Sequence, residues 1–213
     1  MTGLRERKKR EARHRIIRAA EHLFAKRGID NTTMDEIADR AGVSVATVYN
    51  YFGNKSALLL AGVAEETDGL IERGARVLAR PGSNPVRSVQ RLMDVYAEEL
   101  CAWDRGLLRE VLGAAFQRGG GEELTVELVA MDQRLIDQMA ELLENLHAKG
   151  RLRQDIVVQE ATLFLFSILA LHLFMFISIE SFDPKDLREQ ISRQIEMAFT
   201  GLAPNPETKA NSK

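Results

Sequence analysis

Cysteine is nearly missing from this 213-residue chain: Cys101 stands alone. That excludes a disulfide framework within the chain and any zinc site built from paired cysteines. Proline is scarce as well, five in all, and no stretch alternates Val, Ile or Thr with polar residues over the length of a strand, so sheet structure is not indicated. No P-loop, nucleophile elbow, dinucleotide fingerprint, paired-histidine zinc helix or EF-hand loop is present. Their absence sets aside the enzymes that carry such motifs and makes a binding protein the expectation. The four histidines are scattered, and His14 and His22, eight apart, have no acidic or thiol partner at ligand spacing, so neither a metal nor a cofactor is expected. The first residues are charged with no apolar stretch behind them. No secretory leader is therefore expected, and a reducing cytoplasm is the expected setting.

What is there is helical periodicity and a lopsided charge. Residues 1–55 carry 12 Lys and Arg against 7 Asp and Glu, a net of +5, while the remainder carries 17 against 24, a net of −7. A basic head on an acidic body is the footprint expected when the head alone meets phosphates. The opening run holds Arg5, Arg7, Lys8, Lys9 and Arg10, followed by Arg13, Arg15 and Arg18. Met1 to Leu4 reads as a frayed arm, and the basic residues behind it are placed to reach phosphate or a minor groove. A helix is expected from about Lys9 to Arg27, with Ile16, Ile17, Ala20, Leu23 and Phe24 forming its apolar stripe and Gly28 ending it.

The centre of the sequence is the stretch Thr33 to Lys55. Thr33 with Glu36 three residues later is a capping box for a short helix bearing Ile37, Ala38 and Ala41. Gly42 ends that helix, and Ser44 caps a second one in which Val48 and Tyr51 turn inward. Val45, Ala46, Thr47, Tyr49 and Asn50 then face outward. They are small, hydroxyl, phenolic or amide side chains, with no bulky charge to hold the helix off a surface. Such a surface suits a DNA major groove, where Thr, Asn and Ala meet base edges or a thymine methyl. Gly53 ends the second helix and Asn54 caps a third that begins at Lys55.

Taken together, Thr33 to Ala38, Ala41-Gly42-Val43-Ser44, Thr47-Val48-Tyr49-Asn50-Tyr51-Phe52, Asn54-Lys55 and Leu58-Leu59 resemble the DNA-binding domain of TetR-type bacterial transcriptional regulators. At motif level the resemblance covers residues 10 to 60; beyond them it is architectural. It implies an all-α protein: an N-terminal three-helix DNA-binding domain with a helix-turn-helix, then a larger helical domain for ligand binding and dimerisation. Residues 1–55 would be the basic arm and reading domain, 56–203 the helical ligand-binding and dimerisation domain entered by a linker helix at 55–79, and 204–213 a disordered tail. Double-stranded DNA with a near-palindromic operator is the implied partner. Ser44, Val45, Ala46, Thr47, Tyr49, Asn50 and Tyr51 would supply base and phosphate contacts, with Lys55 and the helix end at Thr33 on phosphates. Such regulators usually repress, often releasing DNA when a small molecule binds, and a few activate.

Past the linker helix, Pro81-Gly82-Ser83-Asn84-Pro85 is the sharpest break. Helices are expected from Asn84 to Trp103, from Arg105 to Phe116 and from Glu122 to Lys149, with a flexible join at Gln117 to Gly121. From Val157 to Ile179 the chain is almost wholly apolar. Its length is near the roughly 20 residues of a membrane span, but Gln159, Glu160, Thr162, Ser167, His172 and Ser178 interrupt it, so a helix buried between a core and a subunit interface is preferred. With the helix at 184–200, opened by Asp183-Pro184, it would form a homodimer interface, as the last two helices do in TetR-like regulators. Trp103, Met131, Phe164, His172, Met175 and Phe176 are the expected lining for a small hydrophobic effector, with His172 or Arg109 as polar anchor. The alternatives are a regulator anchored to a membrane by 157–179, and an enzyme or adaptor that carries a helix-turn-helix.

Overall fold

Side-chain caps set the starts of five helices. Thr33 caps α2 (Met34–Ala41), Ser44 caps α3 (Val45–Phe52) and Asp183 caps α9 (Pro184–Thr200). Asn54 Oδ1 accepts from Ala57 N at 2.8 Å to start α4 (Lys55–Ala79), and Asn84 Oδ1 accepts from Arg87 N at 3.0 Å to start α5 (Pro85–Ala102). Each cap satisfies a backbone donor that the first helical turn leaves without a partner. The remaining helices are α1 (Thr2–Arg27), α6 (Arg105–Phe116), α7 (Glu122–Ala148) and α8 (Val158–Ser178). The computed structural model describes residues 2–116 and 122–201, and all regular structure among them is helical. The join expected at Gln117 to Gly121 and the tail expected at 204–213 lie outside the described residues.

One boundary differs clearly from the sequence reading. α1 begins at Thr2 rather than near Lys9, so residues 2–4 and the basic run behind them are helical instead of a frayed arm. Arg, Lys and Glu are all good helix formers, and Arg7 and Glu11 pair one turn apart at 3.4 Å.

The described chain packs as two compact units, Met1–Ile71 with Ala102–Arg134, and Glu72–Cys101 with Leu135–Lys213. The first unit runs on past residue 55 and includes α6. Its Leu107, Val111 and Ala115 lie in the same buried cluster as Ile16 and Phe24 of α1, Ile37 of α2, Val48 of α3 and Leu58 of α4. That cluster is the core on which the helix-turn-helix sits.

In the second unit Tyr96, Leu92 and Met93 of α5, Met139, Leu142 and Leu146 of α7, and Leu187, Ile191 and Ile195 of α9 are buried. Of its buried polar side chains, Tyr96 and Ser88 have partners, whereas Arg73 Nε and His147 Nε2 are buried without one among the described residues. Tyr96 Oη donates to Gln138 Oε1 at 2.8 Å, and Ser88 Oγ donates to the Pro81 carbonyl and, at 2.8 Å, to the Asn84 carbonyl. Gln138 lies against Gly74 so closely that a Cβ there would stand 1.9 Å from Oε1, so a larger residue at that point would displace the Gln138 amide.

Phe24 is 1% exposed in the first unit's core. Phe24→Ala is expected to cost about 3–5 kcal/mol of stability, read as a lower denaturant midpoint with an unchanged slope.

Candidate nucleic-acid interface

The turn between α2 and α3 closes as the sequence requires. Gly42 takes φ 66°, a left-handed conformation that costs glycine nothing, and Val43 N donates to the Ala38 carbonyl at 3.0 Å. At the other end of α2 the capping box is complete. Glu36 N donates to Thr33 Oγ1 at 3.2 Å, and Thr33 N donates to Glu36 Oε2 at 2.9 Å. Arg27 Nη1 and the Thr33 hydroxyl also donate to the Glu36 carboxylate, at 2.8 and 3.0 Å. The backbone N–H of Thr33 first, then Arg27 and the Thr33 hydroxyl, hold the Glu36 carboxyl below its ordinary range.

α3 buries one side chain completely, Val48. Ala46 and Asn50 are exposed, and so is Tyr49, at 51%. Ser44 Oγ accepts from Thr47 N at 3.2 Å and lies 2.8 Å from Thr47 Oγ1, so two hydroxyls share the N-terminal turn of α3. Hydroxyls and backbone N–H groups at a helix start are suited to a phosphate oxygen. Val45 departs from the outward expectation: it is half-buried against the first unit's core. Tyr51 is half-buried too, with its hydroxyl donating to the Lys9 carbonyl at 3.3 Å. These two side chains brace α3 more than they present it.

The cations of α1 and α4 divide into engaged and exposed. Arg13 is bonded to Glu65 and stands over the Phe52 ring at 5.6 Å. Arg18 reaches Glu66 at 2.6 Å and Glu21 at 3.0 Å. Burial pushes the Glu21 carboxyl above its ordinary value, against the pull of Arg18. Lys55 Nζ donates to the Ile29 carbonyl at 2.6 Å and more weakly to the Asp30 carbonyl at 3.4 Å. Lys8, Lys9, Arg10 and Arg15 are exposed. Sequence order gives no sign of this division, because the carboxylates that engage Arg13 and Arg18 across α4 lie some 50 residues away.

The residues expected to meet an effector are spread among different environments. Trp103 and Met131 pack half-buried against the first unit's core, and Arg109 is exposed on α6. In the second unit His172 is 1% exposed, its Nδ1 2.7 Å from the Ile168 carbonyl; Phe176 is buried and Met175 half-buried. Phe164 lines a groove of about 570 Å³ with walls that include Val86, Leu143, Leu165 and Phe199, and with Arg151 and Arg153 beside them. None of the other six lines that groove. Among the described residues, no group of three or more His, Cys, Asp or Glu is placed to hold a metal ion.

Residues 16–61 match the profile of the tetR family of bacterial regulatory proteins. The chain is 30% identical over 142 residues to the HTH-type transcriptional repressor KstR of Rhodococcus jostii, a match covering 66% of this chain and 60% of that protein. It is 38% identical over 77 residues to the HTH-type transcriptional activator FasR of Mycolicibacterium smegmatis, covering 36% of this chain and 35% of that one. Each of these matches thus spans less than two thirds of its relative. Among solved structures, FadR of Thermus thermophilus, a TetR-family transcriptional repressor in complex with lauroyl-CoA, superposes with a TM-score of 0.63 at 30% identity, covering 91% of this chain and 96% of that one.

The capping box carries a pH dependence of definite sign. A carboxyl held below its ordinary value in the folded state stabilises fully above about pH 4.5, and that stabilisation is lost as pH falls through the lowered value. Melting curves of wild type and Glu36→Gln across the acid range are therefore expected to converge at low pH, with the wild type losing more. Parallel curves would mean that Glu36 contributes nothing through its charge.

Proposed function

The chain belongs to the tetR family of bacterial transcriptional regulators, and from that membership we propose that it is a homodimeric repressor that leaves its operator when a hydrophobic effector binds. The observation that carries the DNA assignment is α3: an eight-residue helix capped at Ser44, anchored by Val48, and turning Ala46, Tyr49 and Asn50 outward, with Thr47 half-buried in its first turn and no formal charge among them. A helix so dressed fits a major groove, with Thr47, Tyr49 and Asn50 against base edges or phosphates and Ser44 and Thr33 at helix starts on phosphates. The exposed Lys8, Lys9, Arg10 and Arg15 add charge for the backbone. Lys55 is the assigned phosphate ligand whose ammonium must leave or share the Ile29 carbonyl.

Dimerisation is assigned to α8 and α9. Leu163, Phe164, Leu171 and Phe174 of α8 and Met197 of α9 are large apolar side chains exposed to solvent. α8 is long and apolar enough to cross a membrane by length and composition, but its opposite face is buried in the second unit through Thr162, Leu165, Leu169, His172 and Phe176. We assign the exposed strip to a second copy of the chain, forming a four-helix bundle. Two α3 helices would then face successive major grooves, about 34–36 Å apart or a small multiple of that.

For the effector, the lauroyl-CoA held by Thermus thermophilus FadR supports an acyl chain as the hydrophobic part. Within the first unit, Trp103, Arg109 and Met131 are the proposed effector-facing residues, and Trp103 is the only tryptophan in the sequence.

Selection from a random duplex pool is expected to enrich a near-palindrome, bound less tightly as salt rises. Tyr49→Ala should lower affinity for that selected sequence by about 1–3 kcal/mol, with binding to unrelated DNA unchanged. Lauroyl-CoA is expected to change Trp103 emission and to weaken operator binding by roughly 5–150-fold. No enrichment of any sequence would remove the regulator reading; enrichment with no response to lauroyl-CoA would remove the acyl effector alone.

A further inference from the structure

Ile29, the residue that follows Gly28 in the corner between α1 and α2, is held at both ends of its backbone. Its N–H donates to Glu110 Oε2 at 3.0 Å, and its carbonyl accepts from the Lys55 ammonium at 2.6 Å. Its side chain packs, partly buried, against the first unit's core. Two other carbonyls of the corner are bonded locally: Thr32 Oγ1 donates to the Gly28 carbonyl at 2.9 Å and Asn31 Nδ2 to the Arg27 carbonyl at 3.1 Å. Glu110 comes from α6, 81 residues further along the chain.

The seat that Glu110 occupies is shaped for it. Gly28 takes φ 80°, and a Cβ at that position would lie 3.2 Å from Glu110 Oε1. The carboxylate therefore fits closely over a residue that has no side chain. One turn earlier on α6, a Cβ on Gly106 would come 3.1 Å from the Ala25 carbonyl oxygen. Leu107 and Val111, flanking these positions, are buried in the head's core. α6 is thus seated on the last turn of α1 by two close approaches and fastened by a hydrogen bond to an ionisable carboxyl, a kind stronger than its neutral counterpart when ionised.

We propose that Glu110 is a positioning residue for DNA reading: it fixes the α1–α2 corner from α6 and so sets where α2 and α3 stand on α1. The proposal rests on the assignment of α3 as the reading helix. A corner whose N–H is answered only by water is free to hinge, and a reading head that spends part of its time out of register binds its operator more weakly by that fraction. Glu110 touches neither base nor phosphate in this scheme; it acts through the Ile29 peptide.

The test uses the full-length protein as wild type, Glu110→Ala and Glu110→Gln, the last keeping an oxygen acceptor. Without DNA, amide hydrogen exchange at Ile29 is expected to speed up on the order of tenfold in Glu110→Ala and to stay near wild type in Glu110→Gln. Against an operator fragment selected by the wild type, Glu110→Ala should bind roughly tenfold more weakly, with Glu110→Gln restoring most of the loss and non-selective binding unaltered. Thermal melts check that the variants fold; should Glu110→Ala fail to do so, Glu110→Asp, whose shorter reach breaks the same bond, takes its place. Equal Ile29 exchange in wild type and Glu110→Ala, or equal operator affinity, overturns the positioning role. A wild type that binds DNA without selectivity overturns the DNA reading itself, and the two failures are told apart by the wild-type titration.

Discussion

A helix of eight residues, the length of α3, does not persist on its own in water, where helices shorter than about 12–15 residues are marginal. Everything that α3 offers to a ligand depends on the burial of Val48 in a core shared by α1, α2, α4 and α6. Because one face is committed to that core, the opposite face is defined, and its side chains can remain small and uncharged. The cap at Ser44 and the glycine turn at Gly42 set the entry angle, but the core supplies the free energy. Val45 and Tyr51 show the same constraint at the edges: both lean half-buried onto the head, which leaves a narrower outward face than an idealised helical wheel assigns.

The charge of the head is deployed in two ways. Part of it is internal, with Arg13 and Arg18 on α1 bound to Glu65, Glu66 and Glu21 and Arg27 bound to Glu36. These pairs tie α1 to α4 and to α2. The exposed part, on Lys8, Lys9, Arg10 and Arg15, is carried by a helix that reaches back to Thr2. A count of basic residues therefore overstates the number available to phosphates, and the salt dependence of binding follows the exposed set. Burial of the Glu21 carboxylate, next to Arg18 and within 2.8 Å of where a Cβ on Gly62 would stand, shows how tightly α4 lies on α1.

α8 illustrates how one sequence pattern serves two surfaces. Its residues are apolar all round, so no periodicity separates inner from outer face. In the fold, Leu165, Leu169 and Phe176 go inward, while Leu163, Phe164, Leu171 and Phe174 are left in water. His172, within the buried face, spends its Nδ1 on the Ile168 carbonyl one turn back, as a histidine in a core generally must, since a buried polar atom without a partner is costly.

Local chemistry determined a great deal of this protein from sequence alone. Caps at Thr33, Ser44, Asn54, Asn84 and Asp183, and stops at Gly28, Gly42 and Gly53, act within a few residues of themselves. The helices they delimit, the helix-turn-helix and its outward residues Ala46, Tyr49 and Asn50 were therefore legible in one dimension. What tertiary structure alone decided are the ties between positions far apart in the chain: the placement of α6 in the reading head, the neutralisation of Arg13 and Arg18 by α4, the tether of Lys55 to Ile29, and the partition of α8 into buried and exposed strips. The burial of individual aromatic and Met residues belongs with these, since such side chains look alike in sequence whether they fill a core or stay at the surface. The physical reason is range. A cap or a turn is satisfied by its neighbours, whereas a salt bridge, a close helix approach or a pocket wall exists only once distant segments have been brought together by the burial of apolar surface.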